Sequence, residues 1–157
     1  MNQEYPWRTG RSCHFKLHCH LIFVTKCRRN VLTDEMLNRV EQLFKETCGQ
    51  MDCELFEFNG EDDHVHMLIS YPPKVPLASL VGKLKGKSSY FIRKEYWQAV
   101  KKKLWGKHFW SPSYCAVSCG GAPLKIIKAY IEDQRRPPTK KGVAASKRLN
   151  KTITTPK

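Results

Sequence analysis

Two histidines separated by a single residue, His64 and His66, have the spacing that points most directly to chemistry. The surrounding segment DDHVHMLIS is typical of a β-strand, in which side chains alternate between the two faces. The two imidazoles would therefore project together, with Val65 on the opposite, core face. Neutral imidazole is a good ligand for divalent metal ions. The spacing alone is modest evidence for a metal site, because it recurs at His18 and His20.

A second pair of candidates, Tyr130 and Gln134, lies on a helix expected from Pro123 to about Gln134. Residues four positions apart on a helix share a face, so the phenol and the amide would lie one turn apart. A tyrosine beside a core face is usually structural, with its ring packed and its hydroxyl in water. Here it is accompanied by a side-chain oxygen that could serve as a third metal ligand.

The balance of charge favours a polyanionic partner. The chain has 28 Lys and Arg against 14 Asp and Glu, a formal net charge of +14. Because the basic residues are spread along the whole chain rather than along one amphipathic helix, nucleic acid fits better than a membrane. Candidates for DNA contact are Trp105, for stacking on a base, and basic residues of a predicted second helix, namely Lys83, Lys85, Lys87, Arg93 and Lys94. Lys101, Lys102, Lys103, Phe109 and Trp110 are further candidates.

The length, hydrophobic content and cysteine pattern predict a cytoplasmic protein with a hydrophobic core. The chain has 157 residues, 41% of them hydrophobic, which is enough to bury a core in one domain. It has neither a run of about 18 apolar residues nor an N-terminal segment like a signal peptide. The seven cysteines form no CxxC pair, so reduced thiols are expected. A zinc site using His18, Cys19 and His20, or Cys115 and Cys119, stays open as an alternative.

The first half of the chain predicts one strand, one helix and one hairpin. A strand is expected over about residues 14–26, and its middle is apolar on both faces. Thr33 should begin an amphipathic helix that ends near Gly49. Strands over about 54–58 and 64–71 should then pair through the turn-forming residues 59–63.

The second half predicts a helix after the proline-rich residues 72–76, a strand near 109–118, and the helix that carries Tyr130. The order strand, helix, strand, strand, helix, strand is that of a ferredoxin-like, RRM-like α+β sandwich. Its antiparallel sheet should have helices on one face and an open functional face, with the tyrosine helix added at the C-terminal end. Residues 137–157 are expected to be a flexible basic tail.

Several segments, taken in order, resemble one family. They are HLIFVTK at residues 20–26, DHVH at 63–66, LKGKSS at 84–89, LWGKHFWS at 104–111 and YIEDQ at 130–134. Together they resemble the small single-tyrosine transposases of insertion sequences known as TnpA, which belong to the HUH (histidine, hydrophobic, histidine) enzymes. The resemblance runs from about residue 13 to 136 and implies a transposase domain over residues 1–136.

The resemblance implies roles for four residues. Tyr130 would be the nucleophile, and His64, His66 and Gln134 would hold a divalent cation, Mg²⁺ or Mn²⁺, with no nucleotide cofactor. Cleavage of single-stranded DNA would leave a 5′-phosphotyrosine intermediate. The family also implies a homodimer whose active sites can be completed in trans, and recognition of hairpins at the element ends. His18 and His20 have no counterpart in this scheme and are interpreted as structural.

Two alternatives remain open at this point. A non-catalytic ferredoxin-like module that binds nucleic acid would explain the charge and the fold but not Tyr130 with Gln134. A domesticated relative that processes palindromic repeats of its host chromosome, as REP-associated tyrosine transposases do, would have the same catalytic residues. Only the genomic neighbourhood would separate that relative from a mobile element.

Overall fold

The computed structural model describes residues 5–104 and 106–118, all of which belong to the unit Met1–Ala122. Trp105, Tyr130 and Gln134 lie outside the described residues. So do the tyrosine helix, the basic tail over 137–157 and the domain boundary at residue 136. The described elements are β1 Arg8–Gly10, β2 Cys13–Phe15, β3 His18–Thr25, a 3₁₀ turn Lys26–Arg28, α1 Asp34–Gln50, β4 Glu54–Gly60, β5 His64–Ser70, α2 Leu77–Glu95, α3 Trp97–Val100 and β6 Trp110–Ser118.

A four-stranded antiparallel sheet in the order β4-β5-β3-β6 forms the centre of the fold. Of the four strands in this sheet, β3 comes first in sequence. It is internal and pairs with β5 on one side and β6 on the other. α1 follows β3 and α2 follows β5, which gives the βαββαβ order of a ferredoxin-like sandwich. The predicted α+β fold class is therefore confirmed.

The core lies between the sheet and the two long helices. Alternate residues of β3 and β5 point into it, among them Phe23, Val65 and Met67, and none of these is more than 3% exposed. They meet the apolar stripes of α1 and α2, whose buried members include Phe44 and Leu84. Burying one such side chain contributes about 1.5–3 kcal/mol, so this layer supplies much of the stability of the fold.

α1 begins where the sequence predicts. Thr33 is the N-cap, and its hydroxyl accepts a hydrogen bond from the Met36 amide at 3.3 Å. Where α1 crosses the end of β4, the backbone at Gly60 approaches closely, and a Cβ there would lie 2.6 Å from Leu37 Cδ2. A side chain at residue 60 would therefore require the Leu37 side chain to move, and it would also crowd the His64 carbonyl at 3.1 Å.

The first predicted strand is corrected in detail. Residues 14–26 do not form one strand: β2 ends at Phe15 and β3 begins at His18, with Lys16 and Leu17 between them. β2 instead pairs with β1 in a separate two-stranded ribbon that the sequence pattern did not predict. The face of the main sheet opposite α1 and α2 is also less open than expected, because Ile22 and Leu68 are buried there. Within the described ranges, no helix is long and apolar enough to cross a membrane.

Candidate active site around His64 and His66

β5 places both histidines on the face of the sheet away from the helices. In the register with β3, His64 lies opposite Val24 and His66 opposite Ile22, while Val65 between them is fully buried in the core. The predicted alternation is thus confirmed. His64 is only 6% exposed, and His66 is half-buried. Both imidazoles are held in a sheltered part of the sheet rather than on an open surface.

Asp63 and Arg28 form a chain of charge-assisted contacts that ends on His64. Asp63 Oδ1 lies 2.8 Å from His64 Nδ1, and Asp63 Oδ2 accepts a hydrogen bond from an Arg28 terminal nitrogen at 2.7 Å. A carboxylate at this distance from Nδ1 requires the proton to be on that nitrogen. The other ring nitrogen, Nε2, then carries the lone pair that could bind a metal ion.

The turn after β3 fixes the backbone of Asp63. The Thr25 amide donates to the Asp63 carbonyl at 2.9 Å, and the Thr25 hydroxyl lies 3.2 Å from the same oxygen. A few residues later the Leu32 amide donates to the Asp62 carbonyl at 2.9 Å. Between these anchors Cys27 and Arg28 both adopt positive φ, 55° and 53°, a left-handed conformation that is costly for side chains with a Cβ.

His66 has a different neighbour, His20 of the adjacent strand. Its Nε2 lies 2.9 Å from His20 Nδ1, and the two rings stack with centroids 5.1 Å apart. One of these two nitrogens must donate to the other. Sequence analysis interprets His20 as structural, and the structure places it in direct contact with a candidate ligand.

The electrostatics keep this pair of imidazoles neutral. Burial, followed by the neighbouring His20 and His64, lowers the pKa of His66 to about 4. Burial also lowers the pKa of His20. Neutral imidazole is the form that binds metal ions, so these positions offer ligand nitrogens at neutral pH.

A set of possible metal ligands lies around His64. Among the described residues, the ligand atoms of Glu61, Asp63 and His64 lie within 4.8 Å of one another. This set differs from the pair His64 and His66, and we favour the pair because both oxygens of Asp63 already contact His64 and Arg28. Mixed nitrogen and oxygen donors suit Mn²⁺, and carboxylate or amide oxygens suit Mg²⁺.

The alternative zinc cluster around His18, Cys19 and His20 does not form one site. Cys19 points into the core and is 1% exposed, whereas the two histidines point to the other face. The described cysteines other than Cys19 are free thiols, namely Cys13, Cys27, Cys48, Cys53 and Cys115. A site using Cys115 and Cys119 cannot be described, since Cys119 lies outside the described residues.

The basic residues of α2 do not behave alike. Lys83 and Lys94 are exposed, and Lys87 donates to the Gln50 side chain at 2.8 Å. Lys85 is partly buried: its ammonium donates to the carbonyls of Ser111 at 2.7 Å and Ser113 at 2.9 Å, and burial lowers its pKa. Lys85 therefore joins α2 to β6, a structural use that the sequence did not predict.

Arg93 is also less available for contact with DNA than the neighbouring basic residues of α2. It is half-buried, and two of its guanidinium nitrogens are buried with no hydrogen-bond partner among the described residues. One row of α2 residues is spaced at four, three and four positions, so that its members share one face. We call it the basic stripe; its members Lys83, Tyr90 and Lys94 are exposed, and Lys87 is half-buried. Tyr90 is 59% exposed, and Lys94 Nζ lies 5.8 Å from its ring centroid.

Two of the aromatic residues suggested for base stacking are core residues. Phe109 is 1% exposed and Trp110 is 5% exposed, and their rings pack edge to face. The Trp110 indole nitrogen donates to Ser88 Oγ at 2.9 Å inside the core. The expectation that they contact DNA is therefore wrong.

A basic pocket borders the site. It has a volume of about 510 Å³ and is lined by Cys27, Arg28, Arg29, Asn30, Lys102 and Lys103. No acidic side chain is among the lining residues. Arg28 belongs both to this pocket and to the contact with Asp63, so the pocket is adjacent to the histidines through a shared residue.

Sequence reasoning missed Asp63, Arg28 and His20. Asp63 directly precedes the histidine pair, and an acid beside a candidate ligand could have been considered as its hydrogen-bond acceptor. His20 shares the histidine spacing and was set aside for want of a family role. Arg28 carried no signal, because its contact depends on a left-handed turn that the sequence does not reveal.

Comparison with known proteins identifies the family. The family model described as "Transposase IS200 like" matches residues 13–134. The ISDra2 transposase TnpA of Deinococcus radiodurans is 33% identical over 127 residues, covering 81% of this chain and 90% of the relative. The transposase for insertion sequence element IS200 of Salmonella typhimurium is 31% identical over 127 residues, covering 78% and 83%.

Two solved structures resemble this chain in fold. A Deinococcus radiodurans R1 crystal structure assigned to a transposase has a TM-score of 0.72 at 31% identity, covering 81% of this chain and 97% of that one. The structure of the REP-associated tyrosine transposase bound to a REP hairpin has a TM-score of 0.52 at 11% identity, with coverages of 83% and 67%, and bears on the fold alone. The ferredoxin-like sheet and the histidine pair are consistent with these matches. This chain belongs to the single-tyrosine transposases of the IS200-like family.

Proposed function

We propose that this transposase cuts and rejoins single-stranded DNA with Tyr130 as nucleophile and a divalent ion, Mg²⁺ or Mn²⁺, held by His64 and His66. Gln134 is the proposed third ligand. The observation that supports the metal part best is the shared face of the two histidines, with Asp63 on Nδ1 of His64. The roles of Tyr130 and Gln134 rest on the family resemblance and on their helical spacing.

The proposed reaction is a balanced exchange of phosphodiester bonds. The phenol oxygen bonds to the scissile phosphorus, the bond from phosphorus to the 3′ oxygen breaks, and the 5′ phosphate stays on the tyrosine. The proton lost by the phenol is balanced by the proton gained by the released 3′ hydroxyl. A later 3′ hydroxyl reverses these steps on another strand. A divalent ion would polarise the phosphate and stabilise the charge that develops on it.

Two described surfaces are suited to DNA. The basic pocket lies beside Arg28, and we propose that it receives phosphates of the strand close to the histidines. The basic stripe lies on α2, on the opposite side of the sheet, and we propose that it contacts DNA further from the cut, with Tyr90 available for stacking. Trp105 stays a proposed contact without a described position.

Three further parts of the proposal rest on the family. The DNA would carry hairpins, as does the ligand of the REP-associated transposase named above. The protein would act as a homodimer whose tyrosine helices can complete the histidine sites in trans. Residues 1–136 would form the transposase domain, and the basic tail, residues 137–157, would raise nonspecific affinity for DNA.

The adduct between protein and DNA is the direct test. Full-length protein is incubated with single-stranded DNA carrying the flanking palindrome and Mn²⁺, and a denaturant-resistant adduct is sought by gel electrophoresis. Wild type should form the adduct, Tyr130→Phe should form none, and chelation should prevent it. His64→Ala should still bind the DNA in a mobility-shift assay but form no adduct.

A tyrosine elsewhere on the molecule is the matched control. Tyr114→Phe removes a phenol hydroxyl from an exposed tyrosine on β6 and should leave adduct formation intact. If Tyr130→Phe still forms the adduct, or if wild type forms none with any candidate end, the proposed mechanism is wrong.

A further inference from the structure

Arg28 and Asp63 are used in a way that the proposed reaction does not explain. Arg28 donates to Asp63 Oδ2 at 2.7 Å, and Asp63 Oδ1 lies 2.8 Å from His64 Nδ1, so both carboxylate oxygens are engaged. The side chains of Asp63 and His64 are 10% and 8% exposed, which shields their contact from water. An interaction of this kind is strong because it is both charge-assisted and sheltered.

We propose that Arg28 and Asp63 are positioning residues for His64, which keep its proton on Nδ1 and leave Nε2 unprotonated for a metal ion. This inference rests on the proposed function, because it assigns a purpose to His64 as a ligand. Histidines that bind metals commonly donate their other ring nitrogen to a carboxylate, which fixes both the ring and the tautomer. The structure shows that arrangement on His64.

The backbone supports a dedicated role for Arg28. Cys27 and Arg28 lie consecutively in the left-handed region, at φ of 55° and 53°, and neither is glycine. Such strain persists only where surrounding contacts enforce it, and it is concentrated at functional positions. Here the enforcing contacts are those of Thr25, whose hydroxyl donates to the Arg29 carbonyl at 2.8 Å and whose amide donates to the Asp63 carbonyl at 2.9 Å. Thr25 thus joins the two sides of the Arg28–Asp63 contact.

Replacing the Asp63 carboxylate by an amide shows how Arg28 would control the tautomer of His64. In Asp63→Asn the side chain has one oxygen and one NH₂ group. Arg28 can only donate, so it should take the oxygen and turn the NH₂ group toward His64. His64 Nδ1 would then have to accept, which moves its proton to Nε2 and blocks the lone pair needed by the ion. The substitution changes the tautomer with almost no change in shape.

The test measures the tautomer and the metal affinity on full-length protein without DNA. Long-range ¹H–¹⁵N correlation of the histidine rings at pH 8 should show wild-type His64 protonated on Nδ1. In Asp63→Asn the proton should move to Nε2, and Mn²⁺ affinity by calorimetry should fall by about 10–100-fold. Arg28→Met should keep the proton on Nδ1 and lower the affinity by less than Asp63→Asn does.

The double substitution separates positioning from simple loss of structure. When Arg28→Met is combined with Asp63→Asn, nothing forces the amide oxygen away from His64, so it can accept from Nδ1 again. The double variant should therefore bind Mn²⁺ more tightly than Asp63→Asn alone and recover the Nδ1 proton. If each substitution merely damaged the structure, the losses of Mn²⁺ affinity would add, and the double variant would bind Mn²⁺ most weakly of the three.

The chain offers a matched control in a second arginine–carboxylate pair. Arg39 donates to Glu95 at 2.8 and 2.9 Å, through contacts on α1 and α2 away from the histidines. Glu95→Gln should change neither the His64 tautomer nor the Mn²⁺ affinity. If Asp63→Asn leaves the His64 proton on Nδ1 and the affinity within twofold of wild type, the inference is overturned.

Three further outcomes decide how this inference stands beside the proposed function. If Asp63→Asn does not fold, as judged by thermal melting, Arg28→Met decides alone, and an unchanged Mn²⁺ affinity in that variant overturns the inference. If the tautomer and the affinity change as stated but wild type never forms a DNA adduct, the positioning role stands and the proposed reaction fails. If wild-type protein binds no Mn²⁺, the positioning role fails as well.

Discussion

His66 has a competitor for its lone pair. Its Nε2 is 2.9 Å from His20 Nδ1, so an ion that binds this nitrogen must break the contact between the two imidazoles. An intramolecular hydrogen bond contributes about 0.5–1.5 kcal/mol net, which corresponds to a few-fold to roughly tenfold in affinity. In the proposed metal site, His20 would therefore lower the affinity of His66 for the ion without touching the ion.

The substitution His20→Phe tests this competition. Phe keeps a ring stacked on His66 but cannot form a hydrogen bond, so Mn²⁺ affinity should rise several-fold in a calorimetric titration. His18→Phe is the matched control, because His18 lies two residues earlier on the same face of β3 and stacks on Tyr5 instead. A fall in affinity with His20→Phe would show that His20 holds His66 in place or ligates the ion.

At the scale of the secondary-structure elements, α2 has two functions. Its inner side packs Leu80, Val81 and Leu84 against the sheet, and Lys85 extends that packing to β6 by donating to two of its carbonyls. Its outer side carries the basic stripe. We therefore expect neighbouring lysines of this helix to differ, with Lys85 acting on stability and the lysines of the basic stripe acting on DNA binding.

The pair Lys85→Met and Lys83→Met tests this division. Lys85→Met leaves the carbonyls of Ser111 and Ser113 without their donor, so the free energy of unfolding in urea should fall by about 1–3 kcal/mol. Lys83→Met removes an exposed charge and should change stability by under about 0.5 kcal/mol.

For DNA binding, the larger effect should come from Lys83→Met and the smaller one from Lys85→Met. Lys83→Met should lessen the slope of log affinity for single-stranded DNA against log salt by about 0.7, the value for one phosphate contact. Lys85→Met should leave the slope unchanged under conditions where it is folded. A reduced slope in folded Lys85→Met would show that its ammonium binds DNA after all.

The elements that local pattern determines could be predicted from the sequence. Thr33 has the cap chemistry that begins α1, and the alternation around Val65 gave the correct faces of β5. The ribbon of β1 and β2 was missed because strands of three residues are too short to show alternation. The break before His18 was missed because apolar residues continue through it.

The contacts that local pattern does not determine could not be predicted. His20 meets His66 only because β3 and β5 are neighbours in a given register, a long-range property of the sheet. Arg28 reaches Asp63 through two left-handed residues, of types that rarely adopt that conformation. The histidine pair was therefore accessible from the sequence, and the residues that surround it were not.

At the scale of the whole molecule, the site is proposed to need parts from more than one region. His64 and His66 lie on β5, whereas Tyr130 and Gln134 lie outside the described residues. The proposed homodimer allows the two parts to come from different chains. Whether a site uses its own tyrosine or that of its partner determines which mixed dimers are active.

Mixing two inactive variants tests this arrangement. Tyr130→Phe and His64→Ala are co-expressed with different tags, and the mixed dimer is purified through both. With tyrosines acting in trans, the mixed dimer has one complete site and should form about half as much adduct as wild type. With tyrosines acting in cis, both sites are defective and no adduct should form. A mixture of the separately purified variants, without subunit exchange, is the control.

The left-handed turn after β3 also gives the protein its own attachment point for a probe. Cys27 is exposed, whereas the other described cysteines are half-buried or buried, and burial raises the pKa of Cys48 to about 12 and of Cys53 to about 11. Among the described cysteines, a maleimide dye should therefore react preferentially at Cys27 near neutral pH, because thiolate is the reactive form. Such a dye would sit next to Arg28 and on the edge of the basic pocket, where its fluorescence could report the arrival of a DNA strand without any engineered residue.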